Sequence, residues 1–291
     1  MKQLLILSGK GGTGKTTIAS AFIKLASAKA YADCDVDAPN LHLATEWKIE
    51  PKKTDYYGLS KAKINPELCL QCGLCQQNCR FDAISSTDKY QVDPFSCEGC
   101  GVCEYLCPAN AITMIPSVDG ELTLYTDTEK VFSTAQLKMG SGNSGLLVTE
   151  VKKQLKSAAV AAELAIIDGS PGIGCPVIAS LSGVDMVLMV AEPSISGISD
   201  LKRIINTAQH FRIKMAVCIN KFDTNREITE RIESFCKQQK LTFVGRIPFD
   251  MMAVKAVNRG QTIVDIDCQS GLAVKEVFHK TMNLLLEKAI V

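Results

Sequence analysis

A glycine-rich segment near the beginning of the chain has the residue types and spacing needed to bind phosphate. Residues 9–16 read Gly-Lys-Gly-Gly-Thr-Gly-Lys-Thr, which matches G-x-x-x-x-G-K-S/T at every fixed position. In such a loop the backbone N–H groups point at the phosphates, Lys15 reaches the terminal phosphates and the Thr16 hydroxyl holds Mg²⁺. The alternative is a glycine-rich turn that binds nothing. The residues predicted to contact the nucleotide are Gly9, Lys10, Gly11, Gly12, Thr13, Gly14, Lys15, Thr16 and Thr17.

Cysteine is the second residue type whose spacing indicates chemistry. The chain has 13 cysteines, and eight of them lie between Cys69 and Cys107. They form two runs of Cys-x2-Cys-x2-Cys-x3-Cys, and other positions coincide too, such as Gly73 with Gly101, so the segment is an internal repeat. The spacing is typical of two-cluster bacterial ferredoxins, in which the fourth cysteine of each run ligates the other cluster.

This spacing predicts two [4Fe-4S] clusters with crossed ligands. The first cluster would be held by Cys69, Cys72, Cys75 and Cys107, and the second by Cys97, Cys100, Cys103 and Cys79. Zinc is the alternative metal, although zinc sites usually take two separated Cys-x2-Cys pairs, whereas cysteines at i, i+3 and i+6 suit three corners of a cubane. A disulfide framework is the other alternative.

One position departs from the repeat. Arg80 follows Cys79, whereas Pro108 follows Cys107. A cation at position 80 would raise the reduction potential of the second cluster if its side chain faces that cluster.

Alternating strands and helices must position these residues. Apolar runs predict strands at residues 3–7, 31–35, 121–125, 164–168, 186–191, 215–220 and 243–247, with helices over 15–28, 146–157 and 271–290. Such alternation implies a mostly parallel sheet covered by helices on both faces. We therefore predict an α/β P-loop domain formed by residues 1–60 and 116–291, interrupted by a small α+β ferredoxin-like insertion at 61–115.

Composition excludes several other classes of protein. Hydrophobic residues make up 46% of the chain, enough for a sizeable core, and the formal net charge is +1. A net charge this close to zero provides no excess of positive charge for binding nucleic acid. The first apolar run is too short for a secretory signal, and no stretch is long enough to span a membrane. We expect a cytoplasmic protein, in which disulfides are disfavoured and cysteine runs bind metal.

Three carboxylates follow apolar runs. Asp33 and Asp35 lie at the end of the second predicted strand, and Asp168 ends a later one. Open α/β sheets bind ligands beyond the carboxyl ends of their strands, and Mg²⁺ prefers oxygen ligands. A strand-end aspartate is alternatively a turn former or a helix cap.

The phosphate loop and these carboxylates together resemble the MinD/ParA-like ATPases, a family that includes Mrp-type iron–sulfur carriers and the nitrogenase iron protein. The early Lys10 is the mark of their deviant Walker A motif, and the resemblance implies that it crosses a dimer to the partner's phosphates. Residues 33–40 and 166–172 are similar to the two switch segments.

The resemblance also implies roles for single residues. Asp35 would orient or activate the attacking water, Asp168 would hold Mg²⁺ through water, and Asp33 would support the metal site. Asn220, Pro248 and Asp250 would frame the adenine. Lys10, Lys15 and Asp35 are thus the expected catalytic residues, and Thr16, Asp33 and Asp168 the expected Mg²⁺ site.

These observations predict an ATP-hydrolysing iron–sulfur protein that uses ATP, Mg²⁺ and two [4Fe-4S] clusters. The first hypothesis for its role is electron transfer in metallocofactor or metalloprotein maturation, driven by nucleotide-dependent dimer switching. A cluster carrier is the second hypothesis, and a positioning ATPase with sensor clusters is the third. The expected partners are a second copy or a similar ATPase, together with a redox or cluster-acceptor protein.

Overall fold

The computed structural model describes residues 1–45, 47–159 and 161–287. Its strands are β1 (Lys2–Leu7), β2 (Ala30–Asp33), β3 (Lys52–Tyr57), β4 (Lys61–Ile64), β5 (Ile84–Ser86), β6 (Tyr90–Val92), β7 (Ile112–Ile115), β8 (Val118–Thr126), β9 (Val131–Leu137), β10 (Leu164–Asp168), β11 (Met186–Ala191), β12 (Lys214–Asn220) and β13 (Thr242–Ile247). Its helices are α1 (Lys15–Leu25), α2 (Leu74–Gln77), α3 (Val102–Tyr105), α4 (Ser144–Ala158), α5 (Cys175–Leu181), α6 (Ile195–Gln209), α7 (Arg226–Gln238), α8 (Met251–Asn258) and α9 (Gln269–Leu286). In these ranges no helix has the length and apolar character needed to cross a membrane.

The largest sheet has the strand order β13-β12-β11-β1-β10-β2-β9-β8-β3. Every pair from β13 to β9 is parallel, which confirms the prediction of a mostly parallel sheet. The edge of the sheet that ends in β3 is antiparallel, because β8 pairs antiparallel with both β9 and β3. The sequence pattern does not predict β3, since nearly all of its side chains are exposed and leave no apolar run.

Helices cover both faces of this sheet, as the alternation along β1 makes clear. Leu5 and Leu7 lie in the apolar layer that includes residues of α4, α5, α6 and α7. Leu4 and Ile6 point to the opposite layer, which includes residues of α1 and α9. The predicted α/β architecture with helices on both faces is therefore confirmed.

Two predicted boundaries near the site are wrong. The second strand ends at Asp33 instead of residue 35, because the Asp33 carboxylate accepts backbone N–H groups from residues that follow it and turns the chain at once. Helix α1 ends at Leu25 instead of residue 28, and Ser27 then adopts a positive φ of 46°. The C-terminal helix ends at Leu286, and the last residues of the predicted helix, 288–290, lie outside the described ranges.

The cysteine-rich segment forms its own small sheets. Strand β4 begins at Lys61 and pairs antiparallel with β7, which ends at Ile115, while β5 pairs with β6. The segment leaves the large sheet after β3 and returns to it at β8, whose Val118 pairs with Tyr57. Helices α2 and α3 each follow a glycine with positive φ, Gly73 at 77° and Gly101 at 74°, so the internal repeat of the sequence is also a repeat of structure.

Candidate functional site

The phosphate loop connects β1 to α1 along the carboxyl edge of the parallel strands. Gly12 and Gly14 adopt φ values of 78° and 88°, which only glycine adopts without strain. The Asn220 side chain at the end of β12 donates from Nδ2 to the Thr13 carbonyl at 2.7 Å. Lys221 donates from Nζ to the Gly12 carbonyl at 2.9 Å. The loop is thus attached to a strand far from it in sequence.

Lys15, Thr16 and Asp168 meet in the buried part of the loop. Lys15 Nζ lies 2.6 Å from Asp168 Oδ1, and Thr16 Oγ1 donates to Asp168 Oδ2 at 2.6 Å. Burial by itself lowers the pKa of Lys15, but the attraction of Asp168, Asp33 and Asp35 outweighs burial and leaves that pKa above its ordinary value. The structure therefore brings the lysine that is predicted to bind phosphate into direct contact with two of the three predicted Mg²⁺ ligands.

Asp33 is buried beneath this group and organises the segment that follows β2. Its Oδ1 accepts the backbone N–H of Asp35, and its Oδ2 accepts those of Asn40 and Leu41, each at 2.9 Å. Burial, with the nearby negative charge of Asp168, raises the pKa of Asp33 to about 7. Both carboxylate oxygens are thus engaged by the backbone of residues 35–41.

Asp35 lies in the loop after β2 and is partly exposed. Burial raises the pKa of Asp35, while the positive charge of Lys15 opposes that rise. Asp35 is therefore partly accessible from solvent and lies close enough to Lys15 for the two charges to interact.

Lys10 points toward the beginning of α6, a contact that the sequence motif does not predict. Its Nζ lies 3.1 Å from Ser194 Oγ, 3.3 Å from Ser196 Oγ and 3.8 Å from Glu192 Oε2. Ser194 also caps α6 by accepting the backbone N–H of Gly197 at 3.1 Å. Since these partners are 182 or more positions from Lys10, no local signal in the sequence could identify them.

A cleft of about 810 Å³ opens beside the phosphate loop. Its lining includes Asn220, Pro248 and Asp250, the three residues predicted to frame the adenine. Asp250 caps α8 by accepting the Met252 N–H at 2.9 Å and accepts the Ser270 hydroxyl at 3.1 Å. These hydrogen bonds, the Met252 amide first, lower the pKa of Asp250. The sequence analysis does not identify the apolar walls of the cleft, which include Phe249, Val254 and Val257.

Four cysteines from both runs line a second cavity. Its cysteines are Cys69, Cys72, Cys75 and Cys107, the set predicted to hold the first cluster. Cys107 Sγ accepts the backbone N–H of Ala111 at 3.3 Å. Burial raises the pKa of Cys75, and the neighbouring thiols of Cys69 and Cys72 raise it further.

The other four cysteines are Cys97, Cys100 and Cys103 of the second run and Cys79, which ends the first run. Cys79, Cys97 and Cys103 pack around one small apolar cluster that includes Ala62 and Ile112. Burial raises the pKa of Cys103, and Cys97 and Cys100 add to the rise. Arg80, by contrast, is exposed, so the structure gives no sign that it faces a cluster.

Among the described residues, no group of three or more His, Cys, Asp or Glu side chains is arranged to hold a metal ion.

The cysteines outside the two runs differ in accessibility. Cys218 and Cys236 are buried, and burial raises their pKa values to about 12 and about 11. Burial also raises the pKa of Cys34 to about 12. Cys175 is exposed at the beginning of α5.

A parallel sheet with a glycine-rich loop before its first helix, and with a lysine, a threonine and an aspartate converging there, defines a P-loop nucleotide-binding protein. Comparison with known families agrees: residues 4–263 match the CobQ/CobB/MinD/ParA nucleotide binding domain. The chain belongs to this family, which confirms the predicted resemblance to MinD/ParA-like proteins.

Individual relatives extend this result. An uncharacterised protein of Methanocaldococcus jannaschii is 32% identical over 97% of this chain and 97% of its own. An iron–sulfur cluster carrier protein of Methanococcus maripaludis is 27% identical over 42% of this chain and 46% of its own. The septum site-determining protein MinD of Pyrococcus horikoshii, solved with Mg-ADP, shares the fold with a TM-score of 0.58 and 16% identity, over 100% of this chain and 99% of that one.

Proposed function

We propose that this protein is an ATP-hydrolysing iron–sulfur protein in which nucleotide-dependent dimer switching is coupled to electron transfer. Its role would be to supply electrons for the maturation of a metallocofactor or metalloprotein. The observation that carries the proposal is a short series of contacts from the loop after β2 to the second cysteine run. ATP binding itself is supported by the family and by the phosphate loop.

ATP would replace contacts that the described residues make with one another. Lys15 would leave Asp168 for the terminal phosphates, and the freed Asp168 would join Thr16 in holding Mg²⁺ through water. Mg²⁺, when bound, neutralises charge that develops on the transferred phosphoryl group. Asp35 would orient the attacking water, and Asp33 would keep residues 35–41 in place through its three backbone hydrogen bonds.

Lys10 would act between two chains. It is held by Ser194, Ser196 and Glu192, so it must leave these partners to reach phosphates bound by a second subunit. The phosphates offer more negative charge than one carboxylate at 3.8 Å, which favours that exchange when ATP is present. Either a second copy of this chain or a similar ATPase would serve as the partner.

Residues 61–115 would form a ferredoxin-like insertion that holds both clusters. Support for the first cluster is the cavity that gathers Cys69, Cys72, Cys75 and Cys107, and a backbone N–H that donates to Cys107 Sγ at 3.3 Å is the kind of contact that stabilises a thiolate ligand. The second cluster would take Cys97, Cys100, Cys103 and Cys79. When bound, a cluster accepts and releases single electrons.

Two contacts made by residues 137–140 connect the first switch to the second cysteine run, and a third holds this segment to β8. The Leu137 amide donates to the Val36 carbonyl at 2.8 Å, next to Asp35, and the following residue, Lys138, donates its amide to the Asp119 carbonyl at 2.8 Å. A Cβ atom at Gly140 would lie 3.2 Å from Phe95 Cδ1, so the Phe95 ring packs over this glycine just before Cys97. Movement of residues 35–41 on ATP binding would thus be transmitted to the second cluster.

A cluster carrier is the second candidate function, favoured by the likeness of 42% of this chain to a protein named as an iron–sulfur cluster carrier. The two candidates differ in what happens to the iron. A carrier releases its clusters to an acceptor, whereas an electron-transfer protein keeps them. The complete set of eight cysteines favours retention, because a delivery site usually has fewer and more exposed ligands.

Anaerobic spectroscopy on the full chain tests the proposal. Iron analysis and EPR after dithionite reduction, with and without Mg-ATP, should detect reducible clusters that stay with the protein when an apo-ferredoxin acceptor is added. Rapid movement of iron to the acceptor would establish the carrier function instead. Absence of any cluster signal would overturn both.

Paired cysteine variants identify the ligands. Cys72→Ala should lose about half of the bound iron, since it removes one ligand of one cluster. Cys175→Ala, which changes an equally exposed thiol outside the two runs, should keep all of it.

A further inference from the structure

Lys61 is a buried cation beside the second set of cysteines. It is the first residue of β4 and only 7% exposed. Its Nζ donates to the carbonyl of Cys97 at 2.5 Å. Within the described ranges no Asp or Glu side chain forms an ion pair with it.

A buried ammonium group with only a carbonyl partner is unfavourable. Carbonyl oxygen carries a partial charge and offsets little of the cost of removing an ammonium group from water. The missing partner should be an anion close to Cys97. A [4Fe-4S] core of charge about 2+ with four thiolates carries a net charge of about −2, and reduction adds one more negative charge.

We propose that Lys61 positions a fixed positive charge at the second cluster and raises its reduction potential above that of the first. This inference depends on the proposed function, since it requires that the clusters are present. The charge stabilises the reduced, more negative form more than the oxidised form. The electron would therefore rest at the cluster whose ligand Cys97 lies near the contact of Phe95 with Gly140.

Other cations of the segment are placed differently. Lys63 lies on the same strand with its side chain exposed, and Arg80 is exposed next to Cys79. Water and salt screen an exposed charge far more than a buried one. The sequence gives Arg80 an effect on the potential only if its side chain faces the second cluster, whereas Lys61 is buried and donates to the carbonyl of the ligand Cys97.

The test is an EPR-monitored redox titration of the cluster-loaded chain. Lys61→Met keeps the length of the side chain and removes its charge, so at a fixed potential the ratio of reduced to oxidised second cluster should fall about tenfold, equivalent to 59 mV for a one-electron couple. Lys61→Arg keeps the charge and should stay close to the wild type. The matched control Lys63→Met should change neither cluster.

The outcomes separate this inference from the proposed function. Two clusters with unchanged potentials in Lys61→Met would overturn the inference and leave the proposed function intact. A wild-type chain without clusters would overturn the proposed function. If Lys61→Met fails to load iron, Lys61→Gln provides a second neutral side chain, and a potential equal to the wild type in that variant would also overturn the role of Lys61.

Discussion

The ion pair between Lys15 and Asp168 should contribute a large, measurable coupling to stability. The two atoms are 2.6 Å apart, and the side chains are 6% and 0% exposed. At an effective dielectric constant of about 20, Coulomb's law gives an attraction of about 6 kcal/mol at that distance. Desolvation offsets part of it, so removing one partner should cost about 3–5 kcal/mol by leaving the other charge buried and unpaired.

A double-mutant cycle measures this coupling. Lys15→Met, Asp168→Asn and the double variant are unfolded in urea at pH 8, where Asp33, whose pKa is about 7, is ionised. Trp47 is the single tryptophan and packs on Tyr125 and Phe132 at the large sheet, so its fluorescence reports on this domain. The double variant should be less destabilised than the sum of the single variants by about 2–3 kcal/mol.

A surface pair provides the matched control. Lys53 and Glu121 are 2.8 Å apart but 59% and 44% exposed, so their cycle with Lys53→Met and Glu121→Gln should give a much smaller coupling, because solvent screens both charges. A coupling for Lys15 and Asp168 no larger than that of this control would mean that burial does not strengthen the pair, contrary to the prediction.

Three further predictions follow from contacts near the two sites. Burial raises the pKa of Asp33 from 3.8 to about 7, so between these pH values the folded state binds a proton that the unfolded state has released. The stability of the wild type should therefore fall relative to that of Asp33→Asn as pH rises from about 4 to 7, by up to about 4 kcal/mol in urea titrations. A stability difference that does not change with pH would contradict this prediction. Phe95→Ala should keep its iron but lose the effect of ATP on cluster potential, whereas the exposed aromatic variant Tyr105→Ala should retain that effect in the same titration; equal behaviour would show that the contact with Gly140 carries no coupling. Lys10→Ala should bind ATP as a monomer but fail to dimerise in analytical ultracentrifugation, and an ATP-dependent dimer of this variant would exclude a role for Lys10 between subunits.

The sequence predicts those features that depend on fixed local spacing. The phosphate loop is one of them, because glycines with positive φ and a lysine at the beginning of α1 must occupy set positions. The repeat of the cysteine runs predicts that Cys107 joins Cys69, Cys72 and Cys75, and the structure lines one cavity with these four residues. The large parallel sheet follows from its apolar strands.

Contacts between distant parts of the chain are beyond such patterns. Packing of the helices and strands determines which residues Lys10 contacts at the beginning of α6 and whether Lys61 is buried. The residue type alone does not indicate whether a lysine is exposed or buried. Strand β3 has almost no buried side chains, so it has no periodicity to detect. The carboxylate of Asp33 ends β2 early through hydrogen bonds to residues that follow it, and the sequence analysis assigns that residue to metal support alone.

In the proposed coupling, the nucleotide state of the P-loop domain changes the properties of the clusters. Its most direct test is the reduction potential of both clusters in the anaerobic wild-type chain, measured by EPR-monitored titration without nucleotide, with Mg-ADP and with a non-hydrolysable Mg-ATP analogue. We expect the second cluster to have a different potential with the ATP analogue than in the other two states. Identical potentials in all three states would contradict it.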